Sequence, residues 1–359
     1  MNAAAPVDID SEFYAFGGVS KRTGDSAGFF RSAGDGRTVP AVYPNGFLPN
    51  IMTTVKDASI AFGFRRNLRD DWKFDVSVVH GRSELGFHER NSINVSYWYE
   101  PKPGGGIYAE SPLEADTGKL KFNQTTFNAD VRGPLDLGGR KLSVATGFEY
   151  RSENYQIVAG DPVSYQYGRT NNPAIKIFDQ TGGIAASGAQ GFPGYTPGTE
   201  VDDGRHNVAL YLDAEHNVTE KLLVAAAMRF EKYSDFGNTT TGKLSMRYDP
   251  SRTLGIRGSV STGFRAPSVQ QKFYSSVSTN LNSAGVLTET LTAREGSPVT
   301  RAFGISPLKE ETSKSASIGM VLRPMTNFSV TADLYRIDID DRIVFSSNIA
   351  PESGACLTA

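Results

Sequence analysis

Residues able to do covalent or metal chemistry are few in this sequence, and they are spaced wrongly for it. The four histidines, His80, His88, His206 and His216, show neither HExxH nor HxxEH spacing, the patterns by which one helix face presents zinc ligands and a base. Positions on a surface or a lumen wall explain them more simply. Gly258 to Gly263 reads GSVSTG and places Val260 where a nucleophile elbow needs serine. Asp338, Asp340 and Asp341 lack the glycine and distal glutamate of a calcium loop. GGIAASG, Gly182 to Gly188, neither follows a parallel strand nor opens a helix, so an external loop accounts for it better than a phosphate cradle. The single cysteine, Cys356, has no internal partner, which removes a disulfide framework and a cysteine metal site. A surface loop position is expected for it, with a reactive role or a partner beyond Ala359 as alternatives. No catalytic, cofactor-binding or metal-binding residue is assigned.

What remains is noncovalent recognition by charge. Glu149, Arg151, Arg229, Glu231, Arg257 and Arg265 fall on the polar side of segments whose other side is apolar. Such residues either meet a polar ligand or pair with one another as a ladder between neighbouring strands.

The elements that carry them repeat with a period of two. In KLLVAAAMRFE, residues Leu222, Val224, Ala226, Met228 and Phe230 share one face and Arg229 and Glu231 lie on the other. Leu142, Val144, Phe148 and Tyr150 oppose Ser143, Gly147, Glu149 and Arg151. Val208, Leu210, Leu212 and Ala214 oppose Tyr211, Asp213 and Glu215, and similar alternation runs through 72–78 and 254–261. Capped helical patterns of ten or more residues are hard to find, so an α/β fold is not expected. Several alternating segments reach ten residues, where globular strands cluster near five or six; a tilted strand crossing a bilayer needs roughly 9 to 11.

Composition agrees. A formal charge of -2 with no basic stripe excludes a nucleic-acid partner. The longest apolar run, Leu222 to Met228, is far short of the roughly 20 residues of a spanning helix. Strands are exempt from that test, because only alternate residues face lipid.

The spacing of turns is the strongest signal. Tight turns rich in Asp, Asn, Pro or Gly stand at 67–71, 133–139, 217–220, 249–252 and 324–327. Long connections occupy about 24–54, 89–118, 160–203, 266–307 and the stretch after Phe345, with 235–240 brief. Short and long links alternate, as in an antiparallel barrel with tight turns on one membrane side and long loops on the other. About eleven strands are expected. Phe13 with Tyr14, Tyr97 to Tyr99 around Trp98, and Phe273 with Tyr274 are candidates for interfacial aromatic girdles.

STGFRAPSVQQKFYSSVSTN, Ser261 to Asn280, resembles a segment of TonB-dependent receptors in which a barrel strand runs out into a loop. LKEETSKSASIGMVLRP and NFSVTADLYRIDIDDRI, within Leu308 to Arg342, are similar to the hairpin that follows there; FYAFGG and YPNGFLPNI add matches near the start. The resemblance covers nearly the whole chain. It implies an all-β, antiparallel transmembrane β-barrel segment, about half of a 22-stranded barrel with long external loops and short periplasmic turns. It implies outer-membrane lipid, a plug domain, a TonB complex and a small extracellular ligand as partners. The ligand class stays open among siderophore, metal complex, vitamin and oligosaccharide. The six charged residues become candidates for ligand or plug contacts.

Residues 1–359 read as one partial barrel domain without plug, TonB box or last strands. Met1 to Asp10 shows no secretory leader, so Met1 is not expected to begin the gene product. The alternatives are a diffusion porin without a plug, a soluble β-rich adhesin, or a non-functional fragment.

Overall fold

The computed structural model describes residues 1–281 and 287–349; Cys356 and most of the connection expected after Phe345 lie outside them. The strands are β1 (Asn2–Pro6), β2 (Ser11–Ala27), β3 (Asn50–Asn67), β4 (Lys73–Arg90), β5 (Ala115–Leu137), β6 (Arg140–Val158), β7 (Val201–Asn217), β8 (Leu222–Tyr233), β9 (Gly237–Ser251), β10 (Leu254–Arg265), β11 (Ser276–Leu281), β12 (Leu287–Thr292), β13 (Glu311–Met325) and β14 (Phe328–Asp340). Twelve form one sheet in the order β1 to β10, then β13 and β14, and β11 pairs with β12 in a separate hairpin. Every pairing is antiparallel between chain neighbours within the sheet. No described helix is long and apolar enough to cross a membrane.

The sheet holds one strand more than the turn spacing predicts. NAAAP offers no alternation to read, yet its backbone pairs with Glu12 to Phe16 as β1. The turns are also tighter than expected. Between β5 and β6, Leu137 faces Arg140 across Gly138 and Gly139 alone, whose φ values of 61° and 80° suit a type I′ hairpin. Pro134, expected in the turn, lies inside β5. It is tolerated because β4 pairs with β5 only as far as Arg132, so Pro134 stands where β5 has lost one neighbour.

Alternation divides the sheet into two faces. The outward face carries Phe62, Leu210, Met228, Val260 and Ile318, all more than half exposed to solvent. A soluble sheet would bury such a row; exposed on this scale it marks a surface made to meet an apolar partner. The inward face carries the ions.

The buried core sits elsewhere. Connections 28–49, 91–114, 159–200 and 266–310 all leave the same end of the sheet, and the first three share an interior of Val39, Phe47, Ile93, Val95, Ile177 and Ala185. A second cluster, Tyr155, Ile157, Tyr195 and Val269, joins the upper ends of β6 and β7 to the fourth connection. Three short helices lie in these connections: α1 (Val95–Tyr99), α2 (Val269–Phe273) and α3 (Pro298–Ala302). The aromatics expected at a girdle separate accordingly. Phe13 faces outward and packs on Phe62 and Phe64, whereas Tyr97 is buried in α1 and Tyr274 meets Tyr195 in the loop core.

Candidate functional site: the charged inner wall

Strand pairing decides which charges can meet. Arg151 on β6 pairs with Asn207 on β7, and Asn207 pairs with Tyr233 on β8; one step down, Glu149, Ala209 and Glu231 form the parallel row. Ala209 is buried and has only a methyl group, so Arg229 reaches across it. The Arg229 guanidinium lies 3.3 Å from Glu149 and donates from Nε to Glu231 at 2.6 Å, while Arg151 donates to Glu149 at 2.7 Å. Glu231 accepts further from Asn207 and Tyr233, each at 3.0 Å. Four of the six sequence candidates thus converge, as two carboxylates and two guanidiniums of zero net charge. Arg151 Nε is buried and has no hydrogen-bond partner among the described residues.

The other two candidates stand apart. Arg257 on β10 reaches over Gly319 of β13 to make a two-pronged contact with Asp333 on β14, at 2.7 and 2.8 Å. Arg265, at the loop end of β10, lies 3.5 Å from Glu311, which also accepts from the Ile343 amide.

Above the central cluster is a group that strand alternation alone did not select. Arg205 donates to Glu153 at 2.6 Å and to the Pro267 carbonyl, and Lys272 of α2 meets Asp235 at 2.9 Å. The loop after β10 is therefore fastened to the tops of β6, β7 and β8. Only the residue order GFRAPS hinted at this, by placing Pro267 at the start of a loop with a fixed exit. Below the cluster, at the turn end, a recess of about 790 Å³ is lined by residues including Asp10, Glu12, Arg65, Asp130, Arg132 and Tyr211. In this lower wall Tyr14 donates to Asp75 at 2.8 Å and Tyr211 to Asp130 at 2.5 Å.

At the opposite end the long connections are held by buried polar groups. Glu89 accepts from the amides of Gly191 and Phe192 at 2.6 and 3.0 Å, and Arg31 donates to the Gln190 carbonyl. Burial holds the Glu89 carboxyl above the ordinary carboxylate range, against the opposing pull of Ser92, those two amides and Arg31. Asn94 donates to the Val163 and Gln166 carbonyls, both at 2.8 Å. Arg169 lies over the rings of Tyr97 and Tyr108. Among the described residues no three His, Cys, Asp or Glu gather as metal ligands. The arrangement is an ion-paired wall beneath a packed set of loops, suited to noncovalent selection.

The architecture is shared with solved bacterial transport proteins. The siderophore receptor PirA of Acinetobacter baumannii is similar at a TM-score of 0.60 and 14% identity, over 94% of this chain and 42% of that one. The RagAB peptide transporter matches at 0.59 and 10%, over 98% and 41%. The ferric-catecholate import receptor Fiu of E. coli K12 matches at 0.53 and 12%, over 94% and 50%. The chain therefore spans half or less of the length of these proteins. No curated protein matches its sequence. The family model described as TonB dependent receptor-like, beta-barrel, matches residues 4–356, and by that match the chain belongs to the TonB-dependent receptor β-barrel family.

Proposed function

We propose that residues 1–359 supply wall strands and external loops to a bacterial outer-membrane receptor that takes up a scarce ligand with energy from TonB. The observation that carries this reading is the asymmetry of the sheet: apolar outside, ion-paired inside, and covered at one end by loops that pack together. In such a receptor the plug would fill the lumen, and the ligand would first meet the loops. Siderophore, metal complex, vitamin and oligosaccharide fit a polar lumen of this kind; the ferric-catecholate and siderophore relatives make an iron chelate the first ligand to test, and the peptide transporter adds peptides to the range.

Glu149, Arg151, Arg229 and Glu231 are proposed as the part of the wall that meets plug or ligand. Arg151 supports this with an Nε that no described residue uses. Arg257 and Arg265 are proposed in the same role, though each already has a carboxylate partner. The test is uptake of iron-55 bound to a catecholate siderophore by cells carrying the full-length gene, its deletion, or the gene in a background without TonB. Uptake that survives loss of TonB contradicts the proposal. Arg151→Gln is expected to lower uptake at unchanged outer-membrane abundance; an equal fall in abundance would assign the arginine to the structure of the wall.

A further inference from the structure

We infer that the outward face of β2 to β5 carries a docking patch for phosphate-bearing lipid headgroups just above its apolar belt; this rests on the outer-membrane reading above. The belt's height fixes where to look. An apolar belt is about 25 Å tall, and a strand tilted about 40° climbs roughly 2.5 Å per residue, so about ten residues cross it. Trp72, the residue before β4, marks the lower edge, where its ring lies over Gly133. Ten residues on is Arg82.

The strand registers then assemble a basic row that passes through this level, inclined to the membrane plane because register partners lie at right angles to tilted strands. Lys21 pairs with Lys56, Lys56 with Glu84, Glu84 with Lys121, Lys121 with Gln156 and Gln156 with Asp202. Arg82 lies one outward position below Glu84, and Lys119 one above Lys121. Five cations therefore face two carboxylates. Glu84 lies 3.0 Å from Arg82 and 3.9 Å from Lys56, drawing both toward the middle of the row, and Asp202 feels Lys121. The Lys21, Lys56, Arg82 and Lys119 side chains are exposed.

The rest of the outward face differs. On β13 and β14, Lys314 pairs in register with Asp338, which also holds Arg336 at 2.9 Å, so cations there are matched by carboxylates. Elsewhere on this face the exposed Lys232 of β8 pairs in register with Val208 and Asn238, one cation where β2 to β5 gather five. Long basic side chains at the edge of an apolar belt lay their stems on lipid and lift their charges to the headgroup plane. Several ammonium groups and one guanidinium suit a phosphate carrying more than one negative oxygen.

The experiment uses the full-length receptor, purified and reconstituted into phosphatidylcholine vesicles with bisphosphorylated or dephosphorylated lipid A, followed by native mass spectrometry of retained lipid. Expected is retention of the bisphosphorylated form alone. The triple variant Lys21→Gln, Lys56→Gln, Lys121→Gln should weaken retention about a hundredfold, each cation counting for roughly a factor of five. Glu84→Gln should strengthen it, and Lys314→Gln should leave it unchanged. Equal retention of both lipids, an unaffected triple variant, or displacement of lipid A by inorganic phosphate overturns the headgroup site while leaving the receptor reading intact. Failure of the full-length receptor to enter the vesicles overturns both.

Discussion

Gly147 has no side chain because two other residues occupy its space. Tyr211 on β7 crosses it to reach Asp130 on β5, and a Cβ at Gly147 would lie 2.5 Å from a Tyr211 ring carbon. The device recurs: Tyr14 crosses Gly63 to Asp75, and Arg257 crosses Gly319 to Asp333. In each case a long inward side chain ties strands that are not neighbours. Gly147→Ala should break the Tyr211 contact and destabilise the wall by about 1–3 kcal/mol, read as a lower urea midpoint in detergent; an unchanged midpoint would mean that the ring has another resting place.

Glu89 gives a pH prediction. Its carboxyl binds a proton more readily in the folded loops than in the opened chain. By linkage its contribution is largest at low pH and shrinks as pH rises from the ordinary carboxylate value of 4.5 through the higher folded value. Hydrogen exchange at Gly191 and Phe192, corrected for intrinsic rate, should show protection falling across that window, and Glu89→Gln should flatten the trend. The inward position of the six charged candidates was legible from alternation, because β side chains change face at every residue. Their partners were not. Asp333 for Arg257 or Asn207 for Glu231 depends on register between strands, which no single segment encodes.

At the level of elements, short turns and long strands could be read directly, since Asp, Asn, Gly and Pro act locally on the backbone. The interior of the long connections could not. Tyr97, Trp98 and Tyr99 carry no period that separates a girdle from a loop core, and Trp98 and Tyr99 pack against a cluster that includes Val39, Phe47 and Ile177, which come from other connections. The β11–β12 hairpin was hidden within 266–310 for the same reason. Ile177 is fully buried where these connections meet. Ile177→Ala should cost that cluster about 2–5 kcal/mol, enough to open it locally. Limited trypsin digestion should then cut faster after Arg37 and Arg169, with the strands unaffected; unchanged cutting would show that the three connections hold without a common interior.

Over the whole molecule, the described sheet ends at β1 and β14, each with one strand partner among the described residues. Unpaired strand edges are costly in hydrocarbon. Residues 1–359 expressed by themselves should therefore associate through those edges in detergent and run as more than one species by size-exclusion chromatography. A stable monomer of residues 1–359 would contradict this.

The packed interior shared by 28–49, 91–114 and 159–200 also bears on how such a chain can change over generations. A connection that owns its interior can be exchanged as a cassette; one that lends Phe47 or Ile177 to its neighbours cannot. Drift in one segment is felt as a packing defect in the other two, so the three are inherited together. The freedom left lies at projecting tips such as Gly104 to Gly106, where an added side chain would meet nothing within 4 Å, although the backbone there favours glycine.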